Sequence, residues 1–102
     1  MATIHKRKNP TKHSLSRMKT RAGIYQESVA IRTMHNASKK GLCIADFPDC
    51  KLKDYLKTKD KGKRVKVSKG YIYIFNKTSD RAITLYKIPD EYKEDYEKYG
   101  KQ

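Results

Sequence analysis

Tryptophan is missing from this chain of 102 residues, cysteine occurs twice, and acids are scarce, with 11 Asp and Glu against 25 Lys and Arg. Each shortage excludes something. No run reaches the roughly eighteen apolar residues that a membrane span needs, and the first residues lack the apolar core of a signal peptide. The protein is therefore expected in the cytoplasm, with no membrane partner. Cys43 and Cys50 come without suitably spaced histidines, too few ligands for zinc, and read as reduced thiols. There is no Gly-rich phosphate loop and no serine nucleophile elbow. Outside the last residues the carboxylates stand singly, so a magnesium-dependent nuclease is not expected. Neither a metal nor a cofactor is anticipated.

What is abundant is positive charge, a formal +14 on 11.9 kDa, with a mean hydropathy of −0.97 and 36% hydrophobic residues. Such a balance points to a polyanionic partner and to a lean core. The charge is unevenly spread: residues 1–89 carry +16 and residues 90–102 carry −2. A polyanion should therefore bind away from the last segment.

Residues 1–10, with Lys6, Arg7 and Lys8 and no acid, read as a basic flexible arm. A main domain is expected over 11–89 and an acidic C-terminal helix over 90–102. Thr11 can cap a helix in which Leu15, Met18 and Ala22 share one face and His13, Arg17 and Arg21 another, stopped by Gly23. A second helix runs from about Gln26 to Lys40, with Val29, Ala30, Thr33, Met34 and Ala37 as its apolar stripe. Asp49 can cap a short helix carrying Leu52, Tyr55 and Leu56, and the Lys-rich stretch from Lys57 to Arg64 reads as a solvated loop. Pro89-Asp90-Glu91 is a helix start.

Residues 64–89 hold most of the β-formers. Arg64–Ser68, Tyr71–Phe75 and Ile83–Tyr86 read as a three-stranded antiparallel meander, with a turn at Lys69-Gly70. Alternation sorts the strands into two faces. Val65, Val67, Ile72, Ile74, Ile83 and Leu85 form an aliphatic set for helices to cover. Arg64, Lys66, Ser68, Tyr71, Tyr73, Phe75, Thr84 and Tyr86 form the other, suited to gripping phosphates and stacking on bases. An alternative is that Tyr92, Tyr96 and Tyr99 cover these aromatics. The nucleic-acid site then shrinks to an edge with Arg64, Lys66, Lys69 and Arg17. The fold expected is α+β, two N-terminal helices packed on a three- to four-stranded antiparallel sheet, plus a short C-terminal helix.

The residues available for chemistry are His, Arg, Lys, Tyr and Thr. That set suffices for cleaving RNA, whose 2′-hydroxyl is a built-in nucleophile needing a base, an acid and cations for the phosphoryl oxygens. His5 falls in the arm, and His35 reads as a packing or surface residue. His13 shares a helical face with Arg17 and Arg21, and can be either an exposed surface residue or an acid or base aimed at a phosphate.

The order HSLSRMKTRAGI, a helix ending at Gly41, and a meander closing on AITLYKIP resembles the small ribonuclease-toxin families of the barnase, EndoU, colicin and RelE-like superfold. The nearest likeness is to members with a helix His-x-x-x-Arg-Met-x-x-Arg-Gly-Ile and a strand Ile-Thr-Val-Tyr. The pattern spans residues 11–88, and its His, Arg, Thr and Tyr correspond to His13, Arg17, Thr84 and Tyr86. This chain has Arg21-Ala22-Gly23 where the pattern has Arg-Gly, an inserted residue that leaves the role of Arg21 open. The resemblance implies metal-independent RNA cleavage by His13, Arg17, Thr84 and Tyr86. Arg21, Arg64, Lys66, Lys69, Tyr71, Tyr73 and Phe75 would contact the nucleic acid. Expected partners are RNA, free or ribosome-associated, and, for a toxin, an acidic antitoxin or immunity protein. The rival readings are a non-catalytic RNA- or ribosome-binding module on the same fold and a basic protein that captures an acidic protein.

The charge distribution generates a first prediction. RNA affinity should fall steeply with salt, by roughly 0.7 in log affinity per log salt for each phosphate neutralised on a single strand. Removing residues 1–8 should flatten the slope without abolishing binding. A filter-binding series from low to high salt that shows constant affinity would exclude a nucleic-acid partner.

Overall fold

The computed structural model describes residues 11–77 and 81–100. The arm expected at 1–10, residues 78–80 between the second and third strands of the expected meander, and residues 101–102 lie outside the described residues. Helix α1 (Lys12–Ala22) and helix α2 (Glu27–Lys40) come first, followed by helix α3 (Lys51–Lys59). Strands β1 (Arg64–Ser68), β2 (Tyr71–Phe75) and β3 (Ala82–Lys87) then form an antiparallel sheet in the order β1-β2-β3. A distorted helical segment over residues 90–100 ends the described chain, passing from a 3₁₀ turn through one α turn to a π turn. Among the described residues no helix is long and apolar enough to cross a membrane.

Local signals account for most of these boundaries. Thr11 caps α1, its Oγ1 accepting the Ser14 N–H at 3.1 Å, and Gly23 at φ 68° lets the Ile24 N–H return to the Met18 carbonyl. Lys69 and Gly70, at φ 50° and 86°, both take the left-handed conformation that a tight hairpin turn demands. Gly41 follows a different logic. Its φ is ordinary, but a Cβ there would lie 2.5 Å from the Ala37 carbonyl oxygen and 3.2 Å from that of Val67. That closeness lets Leu42 exchange two 2.9 Å backbone hydrogen bonds with Val67 on the outer edge of β1. Helix α3 extends to Lys59, so the first three residues of the expected basic loop are helical. Its cap comes from far away, where Asp95 Oδ2 accepts the Leu52 N–H at 3.1 Å.

Both faces of the sheet are covered, and the two N-terminal helices lie on the side opposite to the one expected. Helices α1 and α2 pack on Tyr73, Phe75, Ala82 and Leu85 through Met18, Ala30, Met34 and Ala37. Val65, Val67, Ile72 and Ile74 instead meet Phe47, Leu52, Leu56 and Ile88, with Tyr55, Tyr92 and Tyr96 at the margin. Strand β3 departs from the expected sorting as well. Leu85 stands opposite Tyr73, Thr84 opposite Ile74 and Tyr86 opposite Ile72, so Leu85 belongs with the aromatics and Thr84 and Tyr86 with the aliphatic residues. The register shift beside Phe75 leaves Ile83 as the extra residue, and a one-residue offset exchanges every side chain between faces.

Because both faces are core, large-to-small changes on either should destabilise. Phe75→Ala should cost about 3–5 kcal/mol and Leu56→Ala about 2–5 kcal/mol in denaturant unfolding. A near-neutral Phe75→Ala would mean that the aromatic face is open.

Candidate nucleic-acid interface

Strand β3 is an edge, and its outward backbone groups need partners. Helix α1 supplies them at both of its ends. The Thr11 N–H donates to the Ala82 carbonyl and Thr11 Oγ1 to the Ile83 carbonyl, both at 3.0 Å. Ten residues after Thr11, near the other end of the helix, the Arg21 guanidinium donates to the Leu85 carbonyl, also at 3.0 Å. This clamp sets the rotation of α1. Ser14 and Met18 turn inward, and His13 is exposed with Arg17 half-buried beside it. Arg17 Nε donates to His13 Nε2 at 3.2 Å, so that ring nitrogen is an acceptor in this pair.

Arg21 begins a row of cations and rings. Its guanidinium carbon lies 5.1 Å from the centroid of the Tyr86 ring, and Lys59 Nζ lies 4.7 Å from that centroid and 5.2 Å from the Tyr55 centroid. Tyr55 then stacks on Tyr92, with centroids 4.7 Å apart and planes 27° apart. The sequence of groups is Arg21, Tyr86, Lys59, Tyr55, Tyr92, all half-buried, contributed by α1, β3, α3 and the C-terminal segment. Burial, the Glu91 carboxylate and Tyr55 push the Tyr92 phenol above the ordinary tyrosine range. It is therefore uncharged at neutral pH. Aromatic rings alternating with cations within cation–π reach are the surface that single-stranded nucleic acid uses.

The other expected site residues are dispersed. Thr84 is 9% exposed on the α3 side of the sheet, on neither the helix nor the face that carries His13. Tyr73 and Phe75, expected to stack on bases, are 3% and 0% exposed beneath α1 and α2, with ring centroids 6.2 Å apart. The tyrosines expected as their alternative cover are elsewhere: Tyr92 and Tyr96 pack on the aliphatic side and Tyr99 is exposed. Tyr71 donates its hydroxyl proton to the Arg21 carbonyl at 3.1 Å. Arg64 donates to Ser38 Oγ at 3.3 Å and lies 5.8 Å from the Phe75 centroid, while Lys66 donates to Cys43 Sγ at 3.1 Å. Lys69 is exposed in the β1–β2 turn. Thus His13 joins Arg17 and Arg21 joins Tyr86, whereas Thr84, Tyr73 and Phe75 are core residues.

Lys59, Tyr55 and Tyr92 did not enter the expected site. The four-residue spacing of Tyr55 and Lys59 on a helix was the available signal. Their meeting with Tyr86 depends on the long-range packing of α3 across the sheet. Among the described residues no three His, Cys, Asp or Glu side chains cluster as a metal site would require. Comparison with known proteins returned no match among family models, curated proteins or solved structures.

Burial, with a smaller effect from Tyr71, pushes the Tyr73 hydroxyl up to about 12. It remains protonated through the neutral range and takes no part in proton transfer there. Its folded-state value lies above that of the unfolded chain, so its contribution to stability is complete below about pH 10. That contribution should be lost as pH rises from about 10 towards 12. Denaturant melts between pH 9 and 12 should show the decline, and Tyr73→Phe should make it shallower. An unchanged profile in the variant would place the Tyr73 hydroxyl in solvent.

Proposed function

We propose that this protein is an RNA-binding domain that holds a single strand along the β3 edge. The observation that carries this reading is the row Arg21, Tyr86, Lys59, Tyr55, Tyr92. Phosphates would meet Lys59 and the cations of α1, and bases would stack on the tyrosines. Lys59 is the adaptable member, a flexible ammonium that can leave a ring for a phosphate. Arg21 is held by the Leu85 carbonyl and keeps the Tyr86 ring in place. The net charge of +14 supplies the long-range attraction.

A second reading, metal-independent cleavage, is supported by the Arg17–His13 hydrogen bond and by the resemblance of the α1 and β3 segments to ribonuclease toxins. Here Arg17 would leave His13 Nε2 for the phosphate, and the freed nitrogen would take the 2′-hydroxyl proton. Thr84 has no part in this version, because its side chain lies in the opposite layer.

Binding of a labelled single-stranded RNA to the Lys59→Ala/Tyr92→Ala double variant tests the first reading. Loss of one stacked base should cost about 1–3 kcal/mol, and loss of one phosphate contact should lower the salt slope by roughly 0.7. Wild-type affinity in the folded double variant would exclude the β3 edge. For the second reading, products should carry 2′,3′-cyclic phosphate ends in the presence of EDTA, and His13→Ala should slow cleavage about 10²- to 10⁴-fold with affinity retained. RNA that stays intact with the wild-type protein would leave the binding reading alone.

A further inference from the structure

At the other edge of the sheet, beside β1, a cleft of about 630 Å³ opens between α3 and residues 43–45. Five cations line it, Lys53, Lys57, Lys63, Arg64 and Lys66, against one acid, Asp60. Three of the five are half-buried and held in position. Arg64 donates to Ser38 Oγ, Lys66 to Cys43 Sγ, and Lys53 to the Phe47 carbonyl at 2.9 Å. Lys57 and Lys63 are exposed at the rim. Neither Asp60 nor the distant 3.9 Å contact of Lys53 with the solvent-exposed Asp49 balances this charge. Like charges gathered in a concave site raise the local potential and concentrate anions.

The shape and lining narrow the ligand. The volume falls within the range of small-molecule sites, about 300–1,000 Å³. No aromatic ring lines the cleft, and its apolar wall consists of small and aliphatic groups such as Ala45 and Val65. Recognition there rests on charge rather than on a stacked base. Fixed half-buried donors with mobile lysines at the rim suit a ligand that packs several phosphoryl oxygens into a few ångströms. We propose that the β1-edge cleft binds a compact polyphosphate group. Two sources share that chemistry, the 5′-triphosphate end of an RNA and a free inorganic or nucleoside polyphosphate.

This site goes beyond the RNA-binding edge and shares none of its side chains. Calorimetric titration of the full chain with sodium tripolyphosphate tests it, with orthophosphate as comparison. Tripolyphosphate should bind more tightly than orthophosphate. Lys57→Ala/Lys63→Ala should weaken it by about tenfold or more, the scale of one charge-assisted hydrogen bond. Lys12→Ala/Lys19→Ala, which removes the same charge from exposed positions on α1, should leave affinity within about twofold, well under one hydrogen bond. Lys59→Ala/Tyr92→Ala should also leave it unchanged, so failure of the RNA-binding edge and failure of the cleft are separable. Equal weakening by the two lysine pairs, or no binding by the wild type, would overturn the proposal. Two RNAs that differ only in a 5′-triphosphate or a 5′-hydroxyl identify the source. A preference for the triphosphate that vanishes in Lys57→Ala/Lys63→Ala assigns the cleft to an RNA end, and equal affinities with tripolyphosphate binding intact assign it to a free polyphosphate.

Discussion

Three strands of five or six residues have too little area to persist alone, and here they are buried from both sides. Helices α1 and α2 cover the aromatic face, and α3 with the C-terminal segment covers the aliphatic one. With both faces committed to the core, the sheet has only its edges to offer a ligand. At the β1 edge that means the rim of α3 and the chain after α2, and at the β3 edge it means α1 and the meeting of Tyr86 with α3.

The same constraint gives one acid near the end of the chain a role. Asp95 caps α3, whose own cap residue Cys50 makes no side-chain hydrogen bond there. Tyr92 stacks on Tyr55, and Asp90 pairs with Lys93 at 3.0 Å. The C-terminal segment thus closes the aliphatic face and places one ring of the β3-edge row. Without Asp95 the segment would dock less well on the helix N-terminus, where its carboxylate satisfies an orphan N–H and meets the positive end of the helix dipole.

Much of the fold was legible in local signals. Thr11, Gly23, Lys69-Gly70 and the stripe of α2 each mark a boundary or a face through short-range physics, and each holds. The sorting of faces was less legible, for a specific reason. Alternation within β3 places Ile83 with Leu85, but it does not say which side of β2 they share, and the register shift beside Phe75 decides that. A continuous run such as Tyr71–Phe75 also fits a strand buried on both sides as well as one with an open aromatic face. The His13–Arg17 pairing was legible from spacing on one helix. The grouping of Arg21, Tyr86, Lys59, Tyr55 and Tyr92 was not, because it joins four elements that only tertiary packing brings together.

Placing the site at an edge also weighs between the two modes of action. A histidine that serves as general base works best where water is excluded and its orientation is fixed by a second group. His13 is exposed, with the half-buried Arg17 as its neighbour. Any desolvation of that ring would have to come from the bound RNA itself. Stacking and phosphate contacts have no such requirement, since the rings and cations of the β3 edge are already assembled and half-shielded before a strand arrives. Preorganisation therefore favours capture of RNA over its cleavage at this edge, and cleavage would have to draw on binding energy to complete the surroundings of His13.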